Sequence, residues 1–186
     1  MKKILFYLFL ATSILLFPTC DDSNDNCEDM LWDFVNYEIY FTAIDADGGA
    51  NLFDTNNPNN LLDDGVWITF RNKTYNIVDW TDPKSATTKA SYVRPFALRY
   101  YPASLALPHY PSQTMGFGEF GPSSYKKEPF TIHWADGTID EVQLDCYLTW
   151  KDCEPTIHKA LYLNGELVSD DSYPTLHFVK ERKKTE

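Results

Sequence analysis

The sequence predicts an all-β fold: an antiparallel β-sandwich, immunoglobulin-like or related, with a partly open barrel as the alternative. Three observations predict it. Aromatic residues make up 16% of the chain, and many stand beside β-branched residues, a combination that suits a half-buried pleated surface. Apolar and polar residues alternate over short runs, as strands with one buried face require. Asp136-Gly137 and Asn164-Gly165 each separate two such runs, and these dipeptides favour tight hairpins because they tolerate left-handed backbone. No stretch of ten residues reads as a capped helix.

The elements follow in order. Trp32 to Ile44 is a strand-like run with Phe34, Val35, Tyr37, Ile39, Tyr40 and Phe41. Asp45 to Gly65 is rich in Asp, Asn and Gly, and its Leu52-Phe53 and Leu61-Leu62 pairs mark an ordered loop anchored on a core. Val66 to Val78 reads as a hairpin, with Val66, Ile68 and Phe70 on one face, a turn at Asn72-Lys73, and Tyr75 and Ile77 returning. A loop to Ala90 precedes a strand over Tyr92 to Tyr101, which Pro95 confines to an edge or a bulge. Pro102, Pro108 and Pro111 impose irregular backbone. Phe130 to Trp134, Thr138 to Trp150, Lys159 to Leu163, Glu166 to Val168 and Thr175 to Val179 complete eight or nine short strands. In the longest, alternation puts Val142, Leu144, Cys146, Leu148 and Trp150 on the apolar face.

The N-terminus predicts an address. Met1-Lys2-Lys3 leads into an apolar run from Ile4 to Phe17 that stops at Pro18-Thr19-Cys20, which reads as a signal peptide over residues 1–19 and is too short for a stop-transfer helix. A cysteine at the cleavage point resembles the bacterial lipoprotein pattern, with Phe17 and Thr19 departing from its usual Leu and small residue. That resemblance implies lipidation of Cys20 and lasting attachment to a membrane. Residues 20–29 carry five carboxylates, Asp21, Asp22, Asp25, Glu28 and Asp29, and read as a solvated tether. An acidic run behind the lipid cysteine also resembles the surface-export signal of Bacteroidetes lipoproteins. The expected location is the outer membrane, at the cell surface, with its periplasmic face as the alternative. Residues 30–180 are expected to form one sandwich domain and 181–186 a basic tail.

Removing residues 1–19 leaves 14 basic residues against 27 acidic ones, a net charge of −13. This excludes nucleic acid and anionic lipid headgroups as natural partners. With Cys20 acylated, three cysteines remain. Cys146 is expected as a buried thiol and Cys27 with Cys153 as the disulfide that ties the chain's entry to the sheet.

The segments Asp45-Ala46-Asp47-Gly48-Gly49-Ala50-Asn51-Leu52-Phe53-Asp54, Phe117-Gly118-Glu119-Phe120, Ile132 to Asp140 and Tyr162-Leu163-Asn164-Gly165 together resemble a group of uncharacterised Bacteroidetes cell-envelope lipoproteins. The resemblance implies an extracytoplasmic β-sandwich lipoprotein and carries no catalytic residues with it.

Three constellations could carry chemistry. Asp45, Asp47, Asn51 and Asp54 place oxygen ligands around a Gly-containing loop, as the first half of an EF-hand does, and so admit calcium, with Asp63 and Asp64 available to complete the shell. The competing reading is a turn whose Asx side chains satisfy local backbone donors. Tyr100, Tyr101, Tyr110, Phe117, Phe120 and Tyr125 fall in a Pro- and Gly-rich region. They either face a carbohydrate ligand or roof one end of the sandwich. Glu119 with Asp136 or Asp140 is the carboxylate pair that a glycoside hydrolase would need. No nucleophile elbow, zinc-protease helix motif or phosphate-binding loop occurs, and His109, His133, His158 and His177 are scattered. The expectation is a non-enzymatic envelope lipoprotein that binds or scaffolds a glycan or another envelope protein. The alternatives are a carboxylate hydrolase and a purely structural component.

Overall fold

A computed structural model describes residues 34–63, 65–78, 96–103, 113–122 and 124–180. The signal segment, the tether with Cys20 and Cys27, Asp64, His109, Tyr110 and the basic tail lie outside the described residues. The chain divides into two compact units, Met1–Trp32 with Trp150–Glu154, and Asp33–Thr149 with Pro155–Glu186. Of the first, only the tip of a hairpin is described. Asp152 and Cys153 turn there with both residues left-handed (φ 50° and 61°), and Cys153 is disulfide-bonded.

The second unit holds the sandwich. Its strands are β1 (Tyr37–Asp45), β2 (Val66–Phe70), β3 (Lys73–Tyr75), β4 (Ile77–Val78), β5 (Ala97–Tyr101), β6 (Thr114–Phe120), β7 (Tyr125–Trp134), β8 (Ile139–Lys151), β9 (Glu154–Leu163), β10 (Glu166–Asp170) and β11 (Leu176–Lys180). They form a five-stranded sheet in the order β11-β1-β6-β5-β4 and a six-stranded sheet in the order β10-β9-β8-β7-β2-β3. β1 pairs with β11 and β4 with β5 in parallel, whereas β6 with β1 and β5, β2 with β3 and β7, β7 with β8, and β9 with β10 pair antiparallel. The expected all-β sandwich is the observed architecture.

Alternation builds the core. Ile39, Phe41 and Ala43 of β1 face Ile132 and Trp134 of β7 and Val142, Leu144 and Cys146 of β8, all fully or almost fully buried. Phe41, Phe53, Trp134 and Phe178 pack ring against ring at one end. Phe70, Phe96, Phe117, Phe120 and Phe130 do so at the other, where each ring adds about 2–3 kcal/mol by area alone. Leu52 and Phe53 anchor the long loop in this core, and Cys146 is a buried free thiol.

Three local expectations need correction. The β2–β3 turn sits at Arg71-Asn72, one residue earlier than Asn72-Lys73, because both central residues take the left-handed backbone (φ 47° and 61°) that a type I′ hairpin requires. The return strand is also shorter than a single hairpin arm: after Asn76 the chain changes sheets, and Ile77–Val78 pair in parallel with Leu98–Arg99 of the other sheet. Finally, the stretch Thr114–Phe120 is a strand at the centre of its sheet. Two glycines dilute its strand signal, and they are there to make room for neighbouring side chains.

Candidate functional site

The Asp- and Asn-rich loop forms a ribbon of turns with a period of three. Asn51, Asp54, Asn57 and Asn60 each accept, through Oδ1, the backbone N–H two residues on (Phe53, Asn56, Asn59 and Leu62) at 2.8–3.1 Å. The backbone N–H groups of Asp54, Asn57 and Asn60 donate in turn to the carbonyls of residues 51, 54 and 57. Asp45 Oδ1 accepts the Asp47 N–H at 3.0 Å, and Asn51 Nδ2 donates to the Gln113 carbonyl. These are Asx turns, in which a short polar side chain mimics a backbone turn. Among the described residues no three His, Cys, Asp or Glu side chains gather as a metal-holding group. The three-residue spacing was visible in the sequence as Asn51-x-x-Asp54-x-x-Asn57-x-x-Asn60. The ribbon is closed by Leu61 N–H bonding the Leu52 carbonyl at 2.8 Å, and it delivers Leu62 and Asp63 to the start of β2.

The aromatic candidates are redistributed. Phe117 and Phe120 are fully buried and Tyr101 is 3% exposed, so they cannot face a ligand. Tyr125 packs against the core, as does half-buried Tyr100. Phe117 is inward because Met115-Gly116-Phe117-Gly118 alternates, and the glycines take the outward places. Over those glycines lies a buried ionic cluster. Arg99 of β5 and Glu38 of β1 flank β6, opposite Gly116 and Gly118 respectively, and the guanidinium reaches across to the carboxylate at 2.7 Å. Tyr101 and Tyr40 donate to the other Glu38 oxygen at 2.6 and 3.1 Å. Arg99 also meets the Gly118 carbonyl at 3.3 Å and the Glu119 carboxylate at 3.5 Å. Burial first, and the Glu38 carboxylate second, push the Tyr101 phenol well above its ordinary range. A side chain at Gly116 would come within 2.7 Å of the Tyr101 ring and 3.0 Å of Glu38 Oε1.

The carboxylates considered for hydrolysis have separate partners. Glu119 meets Arg99, while Asp136 caps its own hairpin by accepting the Thr138 N–H and hydroxyl. Asp140 of β8 accepts from Trp134 Nε1 (2.8 Å), Asn164 Nδ2 (2.9 Å) and Lys180 Nζ of β11 (2.6 Å), and the ammonium lies over the Trp134 ring. Burial pulls the Asp140 carboxyl up, but these hydrogen bonds and the Lys180 charge outweigh it and hold it below its ordinary value. Because β8 and β11 belong to different sheets, this pair clasps the sandwich.

Residues that alternation turns outward on the six-stranded sheet supply the best site. Trp67 of β2 lies opposite His133 of β7, and their rings stack at 5.2 Å with planes 4° apart. Parallel planes at nearly the ~4.8 Å strand spacing mean that both rings stand upright on the sheet. Trp67 therefore turns its second face away from His133, toward β3. His133 is fixed by a 2.9 Å hydrogen bond between its Nε2 and Thr69 Oγ1. Trp67 also lines a cleft of about 410 Å³, together with Leu62, Asp63, Val66, Asn76 and Ile77. Among the described residues, the side chains of Asp63 and Asn76 in this lining have no hydrogen bond or ion pair, so their bonding capacity is available. Elsewhere on the same face, Tyr147 is covered by His158 (4.8 Å) on one side and by Lys126 (4.7 Å), and Lys127 lies over Tyr162. Sequence reading missed Trp67, although the facing of Val66, Ile68 and Phe70 implied that it points outward. Compared with protein-family models, with curated proteins and with solved structures, the chain matches none.

Proposed function

We propose that this chain is an envelope lipoprotein, anchored through Cys20 at the outer membrane and displayed at the cell surface, whose β-sandwich is a non-enzymatic glycan-binding module. The observation that carries the reading is the cleft beside Trp67: an aromatic face held upright by a stacked imidazole, with an unengaged carboxylate and an unengaged amide within the same lining. A pyranose offers a matching surface. Its axial C–H bonds point into an aromatic face on which the sugar ring stacks, and its ring-edge hydroxyls donate to carboxylate and amide oxygens. Few polar groups on a largely preformed concave site are the usual form of small-ligand recognition. The −13 charge of the processed chain favours a neutral ligand over a polyanionic one.

Two experiments test this reading. Metabolic labelling with a palmitate analogue should mark the wild-type chain and leave Cys20→Ala unmarked; unchanged labelling would remove the lipid anchor from the proposal. The purified lipoprotein in detergent, applied to an immobilised glycan array, should bind neutral glycans and lose at least tenfold in affinity in Trp67→Ala. Capture of an envelope protein alongside a blank array would favour a protein partner instead.

A further inference from the structure

We infer, resting on the glycan reading above, that the Trp67 cleft takes the end of a neutral glycan, one or two sugar units, and does not track along a polysaccharide. The outer face of the six-stranded sheet carries five half-buried rings, Trp67, His133, Tyr147, His158 and Tyr162, and at first sight resembles a long aromatic platform. The contacts divide it. Tyr147 has His158 against one face and the Lys126 ammonium over its ring. Tyr162 carries Lys127 over its ring and donates its hydroxyl to Asp145. A sugar laid on either would first have to displace a cation–π contact worth roughly 0.5–1 kcal/mol at an exposed site. Of these five rings, Trp67 alone combines a stacked partner, which fixes the ring, with a place in the lining of the cleft.

The dimensions agree. At about 410 Å³ the cleft lies near the lower end of the roughly 300–1,000 Å³ typical of small-molecule sites. Its lining combines Leu62 and Asp63, at the end of the Asx ribbon, with Asn76 and Ile77, where the chain leaves for the other sheet. A chain end fits such a recess, whereas a continuous polymer needs an open groove at both ends.

Asp63 sets the charge class. Its carboxylate is exposed within the lining and has no partner among the described residues, so it accepts hydrogen bonds from hydroxyls and repels a uronic or sialic carboxylate placed beside Trp67. Like-charge juxtaposition is an effective way to reject a competing ligand of the same shape.

The test uses the full lipoprotein in detergent on an array carrying neutral glycans from mono- to hexasaccharide, with matched glycans ending in a uronic acid. Affinity that rises to the disaccharide and then stays flat, within twofold, supports the proposal. A gain continuing to the hexasaccharide, reduced by Tyr147→Ala, overturns it and leaves the glycan reading intact, with the site extended along the face. Asp63→Asn should raise binding to the uronic glycans at least fivefold while neutral binding changes less; equal wild-type binding to both classes overturns the role of Asp63. Wild-type binding to no glycan, or full binding by Trp67→Ala with an unchanged melting temperature, overturns the underlying reading together with this one.

Discussion

The outer faces of the two sheets follow the same alternation rule to opposite results. On the five-stranded sheet Glu38 and Tyr40 of β1 and Arg99 and Tyr101 of β5 turn outward, yet Arg99 and Tyr101 are as buried as core residues. On the six-stranded sheet Trp67, Thr69, His133, Tyr147 and Tyr162 turn outward, and they remain half-exposed. The first face uses its polar groups on one another: Glu38 alone receives Arg99, Tyr101 and Tyr40. The second leaves Asp63 and Asn76 unengaged beside an upright indole. A polar cluster whose groups are all mutually satisfied rigidifies a fold. Polar groups held in place but unengaged can receive a ligand.

Mutations can break this contrast. The largest effect is expected for Gly116→Val, which drives a branched side chain into Tyr101 and Glu38. Overpacking together with loss of a buried pair should cost about 3 kcal/mol or more. Urea unfolding at the wild-type midpoint would show that the face above β6 is looser than its geometry. Glu38→Gln comes next. It removes the closer of the two carboxylates at the buried Arg99 guanidinium, leaving Glu119 at 3.5 Å, and should cost about 3 kcal/mol, whereas the double change Glu38→Leu with Arg99→Met should cost less than Glu38→Gln alone. A double variant less stable than Glu38→Gln would mean that the ion pair, and not the avoidance of a lone buried charge, stabilises this sheet.

The Asp140–Lys180 clasp sharpens the comparison, being polar, partly exposed and shared by both sheets. Its folded carboxyl titrates below the ordinary 3.8. The stabilisation is therefore complete above that value and is lost as pH falls from there through the lower folded value. Asp140→Asn should flatten this acid limb of the melting temperature while leaving neutral-pH unfolding two-state. An unchanged acid limb would assign it to other carboxylates. The smallest effect on stability is expected at the proposed site, where Trp67→Ala should change unfolding by about 1 kcal/mol or less. A loss comparable to Glu38→Gln would make Trp67 a structural residue and move it out of the binding face.

Where a property depends on near neighbours in the chain, it was legible. The hairpins at Asp136-Gly137 and Asn164-Gly165, the anchoring of the long loop by Leu52 and Phe53, and the burial of Cys146 all follow from local turn chemistry and a period of two. Which of the two readings of Phe117 and Phe120 holds was less legible, for a related physical reason. Alternation in Met115-Gly116-Phe117-Gly118 is as regular as in Val66 to Phe70, but glycine carries no hydropathy signal, so a central strand looked like a loop.

By itself, then, the sequence determined the all-β class, the hairpin turns and the inward set of each well-patterned strand, because these are decided within a few residues. Tertiary structure alone decided which strands became neighbours. It brought Arg99 to Glu38 across two glycines, set His133 against Trp67 from 66 positions further along the chain, and sent Ile77 to the other sheet so that a cleft opened at the crossing. Alternation says which face a side chain takes; only the pairing of distant strands says what it meets there.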